Sequence, residues 1–252
     1  MGLDFTEKTA ERSGLLSGST LKIIACISMF TDHATLILLH RYRDHLSTLD
    51  YNSIMYWQRL YHIGRNIGRM AFPIFCFLLV EGFFHTSNRL KYLLRLTVMC
   101  LLSEHAFNLL AASRHLDPGH QNVFMTLAIS LLTITALEQV KIRFRGKPDI
   151  ISVLSIVIAS LGCLIAYLLK TDYDYRGVLA IVIMYMLHSS KILTCLGTAL
   201  AFTWEPWALT AVIPLFLYNG KRGLRRKYIF YAFYPLHIYL IYFVVYHVLP
   251  MP

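Results

Sequence analysis

Charged side chains are scarce in this sequence of 252 residues, of which Asp, Glu, Lys and Arg together make up only 15%. An ordinary soluble domain contains about 25% of such residues. Hydrophobic residues make up 56% of the sequence, and its mean hydropathy is +0.53. This composition excludes a typical soluble enzyme. It predicts an all-α, polytopic integral membrane protein whose helices form a bundle in the lipid bilayer.

The motifs of the common soluble enzyme classes are also absent. The sequence has no Walker loop and no GxGxxG, HExxH or GxSxG pattern. Its five cysteines lie in apolar stretches without the CxxC spacing of metal or redox sites, which predicts buried thiols at Cys26, Cys76, Cys100, Cys163 and Cys195. No pair of histidines has the spacing of metal ligands on one helix face, so we predict no bound metal.

Acidic residues are fewer than basic ones, 14 against 24, which gives a formal net charge of +10. In a soluble protein this charge would suggest a nucleic-acid partner. Here the basic residues lie in short loops between apolar runs, where they determine how the chain is oriented in the membrane. The densest basic loops surround Arg143 and Arg225, and the positive-inside rule places both in the cytoplasm. We therefore predict a cytoplasmic N-terminus, an extracytoplasmic C-terminus and no nucleic-acid partner.

Nine apolar runs follow one another along the chain, at residues 21–40, 68–84, 92–111, 122–138, 150–169, 176–188, 191–203, 206–218 and 228–249. They predict about nine transmembrane helices in one domain, residues 21–252, after a cytoplasmic tail, residues 1–20, that lacks a signal-peptide pattern. The runs between 176 and 218 are shorter than the roughly 17 residues of a straight crossing, so one of them is a candidate re-entrant segment. The connection 41–67 has the pattern of an amphipathic segment in the membrane interface, or of an ordinary extracytoplasmic loop.

Lys22 and His33 are the most informative ionisable residues, because a charged group inside an apolar span costs several kcal/mol and calls for a partner, a cavity or a function. Eleven helical steps bring the two side chains to one face, with a rise of about 16 Å between them. A basic entrance with an imidazole at that depth suits coenzyme A, whose phosphates attract cations and whose thioester needs a base nearby. The alternative is a snorkelling lysine and a histidine that packs against another helix.

The partner that orients His33 should come from a different helix. Asp32 is adjacent to His33 and therefore points about 100° away from it. Arg69 and Glu81 are about 18 Å apart on one continuous helix and cannot pair, which leaves Arg69 available to Asp32. We predict an acidic or polar partner for His33, with three candidates in the order Glu104, Glu81 and Asp174.

The remaining polar residues of the spans allow two interpretations each. Glu81, His85 and Arg89 form either a polar cluster at the cytoplasmic edge or part of a catalytic site. Glu104 with Asn108, and Asn122 with Thr126, have the i, i+4 spacing that favours hydrogen bonds between helices. His237, in an aromatic-rich span near a proline, closes a polar cavity or caps a contact between helices.

Six stretches of the sequence resemble, in order, the blocks of the TraX family: LKIIACISMFTDHATLIL, GRMAFPIFCFLLVEGFFHTSNRLKYLLRL, SEHAFNLL, NVFMTLAISLL, DYDYRGVLAIV and YIFYAFYPLHIYLIY. The resemblance implies a multi-pass membrane protein of the kind linked to N-terminal acetylation of conjugative pilin. The spacing of Lys22 and His33 also resembles the first-helix motif of the integral-membrane acyltransferase family 3, whose histidine is taken as catalytic. The TraX pattern falls on Lys22, Asp32, His33, Gly68, Arg69, Phe72, Pro73, Asn122, Gly177 and His237.

This resemblance implies an acyltransferase of the bacterial inner membrane that uses acetyl-CoA as acyl donor. The acceptor would be the N-terminal amine of pilin or another amine or hydroxyl of the cell envelope. Together with the positions of the ionisable residues in the spans, the resemblance leads us to predict catalysis by His33, Glu104 and Asp32, and donor binding by Lys22, Arg69 and Arg89. Substrate-binding or structural roles would fall to Glu81, Asn108, Asn122, Asp174 and His237. Glu81 and the HTSNR segment look more like a chromosomal branch of the family than the pilin-acetylating branch. The alternative function is a non-catalytic membrane protein in assembly or transport.

Overall fold

The computed structural model describes residues 14–46, 48–111, 119–224 and 227–250. In these segments the regular elements are helices, and two isolated bridges join Leu16 to Tyr218 and Gln121 to Thr171. The α-helices are α1 (Gly18–Leu46), α2 (Tyr51–Gly68), α3 (Ala71–His85), α4 (Arg89–Ala111), α5 (Val123–Arg143), α6 (Pro148–Leu168), α7 (Asp174–Met186), α8 (Lys191–Ala201), α9 (Val212–Phe216) and α10 (Lys227–Phe243). A 3-10 helix, Pro206–Ala211, leads into α9, and a π-helical turn, Val244–Val248, follows α10.

Six stretches of the described chain are helical, long and apolar enough to cross a membrane: Gly18–Tyr42, Tyr51–His85, Arg89–Leu110, Val123–Arg143, Pro148–Leu168 and Tyr228–Val248. The predicted all-α, multi-pass membrane architecture is therefore confirmed. The predicted count of about nine crossings is not. The runs between 176 and 218 form α7, α8 and the 3-10 helix with α9, and the 13 residues of α7 or the 11 of α8 are fewer than a straight crossing of about 20 residues needs.

The structure shows where the first helix begins and how the connection 41–67 is folded. Residues 1–13 of the tail lie outside the described part of the chain, and Gly18 already begins α1. Most of the connection 41–67 is helical, because α1 continues to Leu46 and α2 begins at Tyr51, where the side chain of Asp50 accepts bonds from the first backbone N–H groups.

Two glycines allow α2 to lie directly against α1. Gly64 and Gly68 have the GxxxG spacing that allows two helices to approach closely. In the structure they face α1 of the same chain, where a Cβ on Gly64 would collide with Thr35 and one on Gly68 with Asp32. The motif thus serves packing within the chain, and it fixes the part of α1 that carries Asp32 and His33.

The bundle has two distinct ends. At one end the first residues of α1 pair with the chain before α10, since Gly18 N donates to Lys221 O at 2.8 Å and Ser19 N to Arg222 O at 3.0 Å. We call this the Lys22 end. At the other end Gln121 N donates to Lys170 O at 3.0 Å, which joins the start of α5 to the turn after α6. We call this the Asp172 end.

The apolar core lies between α3, α5 and α7, and its largest fully buried side chains include Phe77, Phe83, Ile134, Ile181 and Met184. The cysteines are free; four are buried and Cys163 is half-buried, so the predicted buried thiols are confirmed at four of the five positions. Many large apolar side chains of α6 are exposed, as a lipid-facing helix requires.

Candidate functional site

A cavity of about 710 Å³ opens at the Lys22 end of the bundle and reaches His33. Lys22 and His33 both line it, as their spacing on one face of α1 predicts. Its deeper wall is aromatic and polar, with Phe72, Tyr173 and Tyr234 around the imidazole. A site of this size and lining is suitable for an organic ligand with a polar head and an apolar tail.

Four cations lie around this first cavity without a carboxylate in ion-pair distance among the described residues: Lys22, Lys91, Arg95 and Arg222. The ammonium of Lys22 lies 5.4 Å above the ring centre of Phe230, and the guanidinium of Arg95 lies 5.6 Å from that of Tyr92. Uncompensated positive charge at a cavity entrance attracts anions and binds phosphate groups well.

His33 is hydrogen-bonded to His237 of α10. Its Nδ1 lies 2.7 Å from Nε2 of His237, and Nδ1 of His237 lies 2.7 Å from the backbone oxygen of Phe233. Because a carbonyl oxygen only accepts, His237 must carry its proton on Nδ1 and accept at Nε2. His33 then donates from Nδ1, so in the neutral pair Nε2 of His33 keeps its lone pair. The geometry therefore holds His33 in the tautomer of a base.

The predicted carboxylate partners of His33 are wrong in the structure. A polar partner on another helix is confirmed, but it is His237 and not one of the three acidic candidates. Glu104 instead accepts a hydrogen bond of 2.5 Å from the side chain of Asn122. Asp174 lies at the first turn of α7, where its Oδ1 is buried without a hydrogen-bond partner among the described residues.

The third candidate, Glu81, belongs to a different buried cluster. Its carboxylate lies 2.7 Å from Nε2 of His188 and accepts a hydrogen bond of 3.0 Å from the hydroxyl of Tyr218. It thereby joins α3 to the turn after α7 and to the chain before α10. His85 packs beside it, with Nδ1 at 2.8 Å from the backbone oxygen of Glu81. Glu81 also lines the first cavity, which leaves both predicted roles of this cluster open.

Arg69 and Arg89 are not placed beside Lys22. The guanidinium of Arg89 lies 4.1 Å above the ring centre of Phe83, and neither cavity includes Arg89 in its lining. The predicted pairing of Arg69 with Asp32 is wrong in the structure. Arg65, one helical turn earlier, takes that carboxylate at 2.6 Å, and Arg69 reaches Glu205 at 3.4 Å.

Asn122 confirms the predicted role of hydrogen bonding between helices. It is fully buried, accepts from Phe124 N as the cap of α5, and donates to the backbone oxygen of Cys100 at 2.8 Å as well as to Glu104. Asn108 is also buried, although its Oδ1 has no partner among the described residues. These contacts bind α5 to α4 beside the cavity and do not reach His33.

A second cavity of about 380 Å³ lies at the Asp172 end, lined by residues that include Arg65, Arg69, Asp174, Arg176 and Trp204. Four residues line both cavities: Asp32, His33, Asp172 and Tyr173. We call these four the partition. The two cavities therefore approach each other from opposite ends of the bundle and are separated by the layer that contains His33.

Two members of the partition, Asp172 and Tyr173, were not predicted as site residues from the sequence. They lie in the turn between α6 and α7, and the ring of Tyr173 stacks on Phe72 with centres 3.4 Å apart. Gly177 makes room for this stack, because a Cβ there would come within 3.0 Å of Phe72. The family pattern on Phe72 and Gly177 was the available signal, since both residues hold the partition in place.

Asp172 should make the stability of the protein depend on pH. Burial raises the pKa of this carboxyl from 3.8 to about 6, although nearby His120 lowers it. A raised pKa means that the folded state binds more protons than the unfolded state between these values, so stability falls as pH rises towards 6. We expect Asp172→Asn to remove this part of the pH dependence and to raise the melting temperature near neutral pH. Thermal unfolding in detergent on both sides of pH 6 measures it, and identical curves for both proteins would contradict it.

Among the residues that the structure describes, no group of three or more His, Cys, Asp and Glu side chains is placed to hold a metal ion. The absence of metal remains a prediction.

The chain is similar to known proteins over most of its length. The family described as TraX protein matches residues 17–245. The probable fimbrial assembly protein FimC, serogroup H1, of Dichelobacter nodosus is 31% identical over 248 residues, which cover 89% of this chain and 94% of that protein. No solved structure matches. The family resemblance seen in the sequence is confirmed by these matches, and the chain belongs to the TraX family.

Proposed function

We propose that this protein is an acyltransferase of the bacterial inner membrane that transfers an acetyl group from acetyl-CoA to an acceptor. The observation that supports this proposal best is the meeting of two cavities at His33, whose free Nε2 is available as a base. The first cavity supplies cations for the coenzyme phosphates. The second cavity provides a separate route by which an acceptor reaches the same imidazole.

The reaction needs only one proton carrier. His33 takes the proton of the acceptor N–H or O–H at Nε2, and the freed lone pair attacks the thioester carbon. As the carbon–sulfur bond breaks, His33 returns that proton to the coenzyme sulfur, so atoms and charge balance. His237 accepts the hydrogen bond from His33 Nδ1 throughout and stabilises the imidazolium that forms.

The acceptor is proposed to be pilin or another molecule of the cell envelope. The TraX family resemblance points to pilin acetylation, and the Dichelobacter nodosus relative is named as a fimbrial assembly protein. The second cavity lies at the end of the bundle away from the four entrance cations, which agrees with a donor and an acceptor that arrive from opposite sides.

Acetyl transfer is tested with isotope-labelled acetyl-CoA. Inner membranes that contain the protein should transfer the label to a protein or envelope component that stays unlabelled in membranes from a deletion strain. Mass spectrometry of the labelled component identifies the acceptor. Purified protein that neither binds coenzyme A nor releases it from acetyl-CoA in the presence of these membranes would remove the proposal.

The orientation of the bundle gives a second test. The Lys22 end carries Lys91, Arg95, Lys141, Arg143 and Arg222, so we expect it to face the cytoplasm. Single cysteines introduced in a cysteine-free background next to Arg143 or Arg225 should resist a membrane-impermeant maleimide in whole cells and react in inverted vesicles. Arg225 itself lies outside the described residues. Labelling of either position in whole cells would reverse the orientation and the side from which the donor enters.

A non-catalytic role in pilus assembly is the second candidate, and the name of the Dichelobacter nodosus relative favours it. The two functions differ in what they require of His33. Pilus assembly that is restored fully by a His33→Ala protein, in a strain without the wild-type copy, would favour the assembly role over catalysis.

A further inference from the structure

Two arginines of the second cavity have hydrogen-bond donors that nothing in the described chain uses. Arg69 reaches Glu205 only through Nε, at 3.4 Å, which leaves both terminal nitrogens free. Arg176 lies over Trp204 with 5.1 Å between its guanidinium carbon and the ring centre, and its Nε lies 3.5 Å from the hydroxyl of Tyr175. Both side chains line the cavity.

The same cavity contains carboxylate oxygens without hydrogen-bond partners. Among the described residues, Oδ1 of Asp32 and Oδ1 of Asp174 are buried without a hydrogen-bond partner, and Asp172 lines the same cavity. Asp32 is nevertheless neutralised by Arg65 through its other oxygen. The donors of the partly exposed Arg69 and the exposed Arg176 are open to solvent, whereas a buried carboxylate oxygen without a donor is costly in a folded protein. Buried acceptors beside accessible arginine donors indicate a ligand that supplies both kinds of group.

We propose that the second cavity binds an acceptor that carries an oxyanion, either a carboxylate or a phosphate, beside its nucleophile. Arg69 and Arg176 bind the oxyanion, because a guanidinium presents paired N–H groups that match two oxygens of such a group. Asp172, which like His33 belongs to the partition, accepts a hydrogen bond from the N–H or O–H of the nucleophile. That the ligand is the acyl acceptor rests on the proposed acyl transfer, whereas the binding of an oxyanion in this cavity does not.

The size and charge of the cavity restrict the acceptor further. A volume of about 380 Å³ admits the reacting end of a larger molecule and leaves the rest outside. A purely cationic ligand would bind the carboxylates but leave the donors of Arg69 and Arg176 unused. A ligand with both an oxyanion and an N–H or O–H group provides partners for the arginine donors and for the carboxylate oxygens.

The binding test uses Trp204 as a fluorescent reporter, because it lines the cavity and contacts Arg176. Trp57→Phe and Trp207→Phe remove the other two tryptophans of the chain. The purified protein is titrated with phosphoethanolamine, glycine and ethanolamine at constant ionic strength, since salt screens charge. We expect a saturable change with phosphoethanolamine or glycine and none with ethanolamine. The tighter of the two binding probes identifies the oxyanion as phosphate or carboxylate.

Variants of the two cavity charges decide the proposal. Arg69→Gln should weaken binding of the oxyanion probe at least tenfold, whereas Glu205→Gln, which frees Arg69, should tighten it. Arg143→Gln, at the other end of the bundle, is the matched control and should bind as the parent does. An equal response to ethanolamine, no response to either oxyanion, or equal affinity in the parent, the Arg69→Gln and the Glu205→Gln proteins would overturn the proposal.

The outcomes also separate this proposal from the proposed function. Oxyanion binding without any labelled acetyl transfer would support the oxyanion site and contradict the proposed acyltransferase function. The opposite result is acetyl transfer that proceeds equally to acceptors with and without an oxyanion, and equally in Arg69→Gln. It would support the acyltransferase function and contradict the oxyanion site.

Discussion

Replacement of His33 by alanine should lower acetyl transfer by about 10²- to 10⁴-fold, because it removes the base that accepts and returns the proton. Binding of coenzyme A should change little, since the entrance cations lie at the other end of the first cavity. The measurement is the rate of label transfer from acetyl-CoA at equal amounts of folded protein, together with coenzyme A affinity.

His105→Ala is the matched control for this result. His105 lies on α4, with Nδ1 at 2.8 Å from the hydroxyl of Tyr239, and neither cavity includes it in its lining. Its replacement should leave the rate of transfer near that of the wild type. A His33→Ala protein with wild-type turnover would show that the imidazole takes no part in the reaction.

Replacement of His237 should have the second-largest effect. His237→Leu removes the acceptor for His33 Nδ1–H, so the imidazole loses its orientation and its preferred tautomer. We expect transfer to fall by about 10²-fold or more, as expected when a group that orients a catalytic histidine is removed. The turnover number should fall while the KM for acetyl-CoA stays nearly constant, because His237 does not line the first cavity.

A conservative variant separates orientation from structure at this position. His237→Gln offers a side-chain oxygen that can accept from His33, so it should recover part of the turnover and keep a pH–rate profile close to that of the wild type. His237→Leu and His237→Gln proteins with equal turnover and equal melting temperature would contradict a role for the hydrogen bond.

The helices were predictable because each needs only a local pattern of apolar residues. The same pattern could not give the number of crossings, since the run that contains α8 has almost the same composition as a full span yet ends after Ala201. Helical periodicity also predicted that Lys22 and His33 share a face, and both line one cavity. These successes depend on contacts within a single helix.

The parts of the site that joined distant helices could not be derived in this way. His33 and His237 are 204 positions apart in the sequence, and no local rule relates them. Arg65 took the place expected for Arg69 beside Asp32 because two glycines bring α2 so close to α1. Asp172 lies in a turn, two positions before Asp174 with its positive φ of 51°, and a turn has no periodicity from which its direction could be inferred.

The partition has an electrical consequence. If water fills both cavities, the voltage across the bilayer no longer falls evenly over its whole thickness but mainly over the thin layer formed by Asp32, His33, Asp172 and Tyr173. The electrical free energy of one elementary charge that crosses the full field changes by about 2.3 kcal/mol per 100 mV. A proton that moves between the two faces of this layer would experience most of that field. A step of the reaction that moves such a charge would then run at a rate set in part by how strongly the cell energises its membrane.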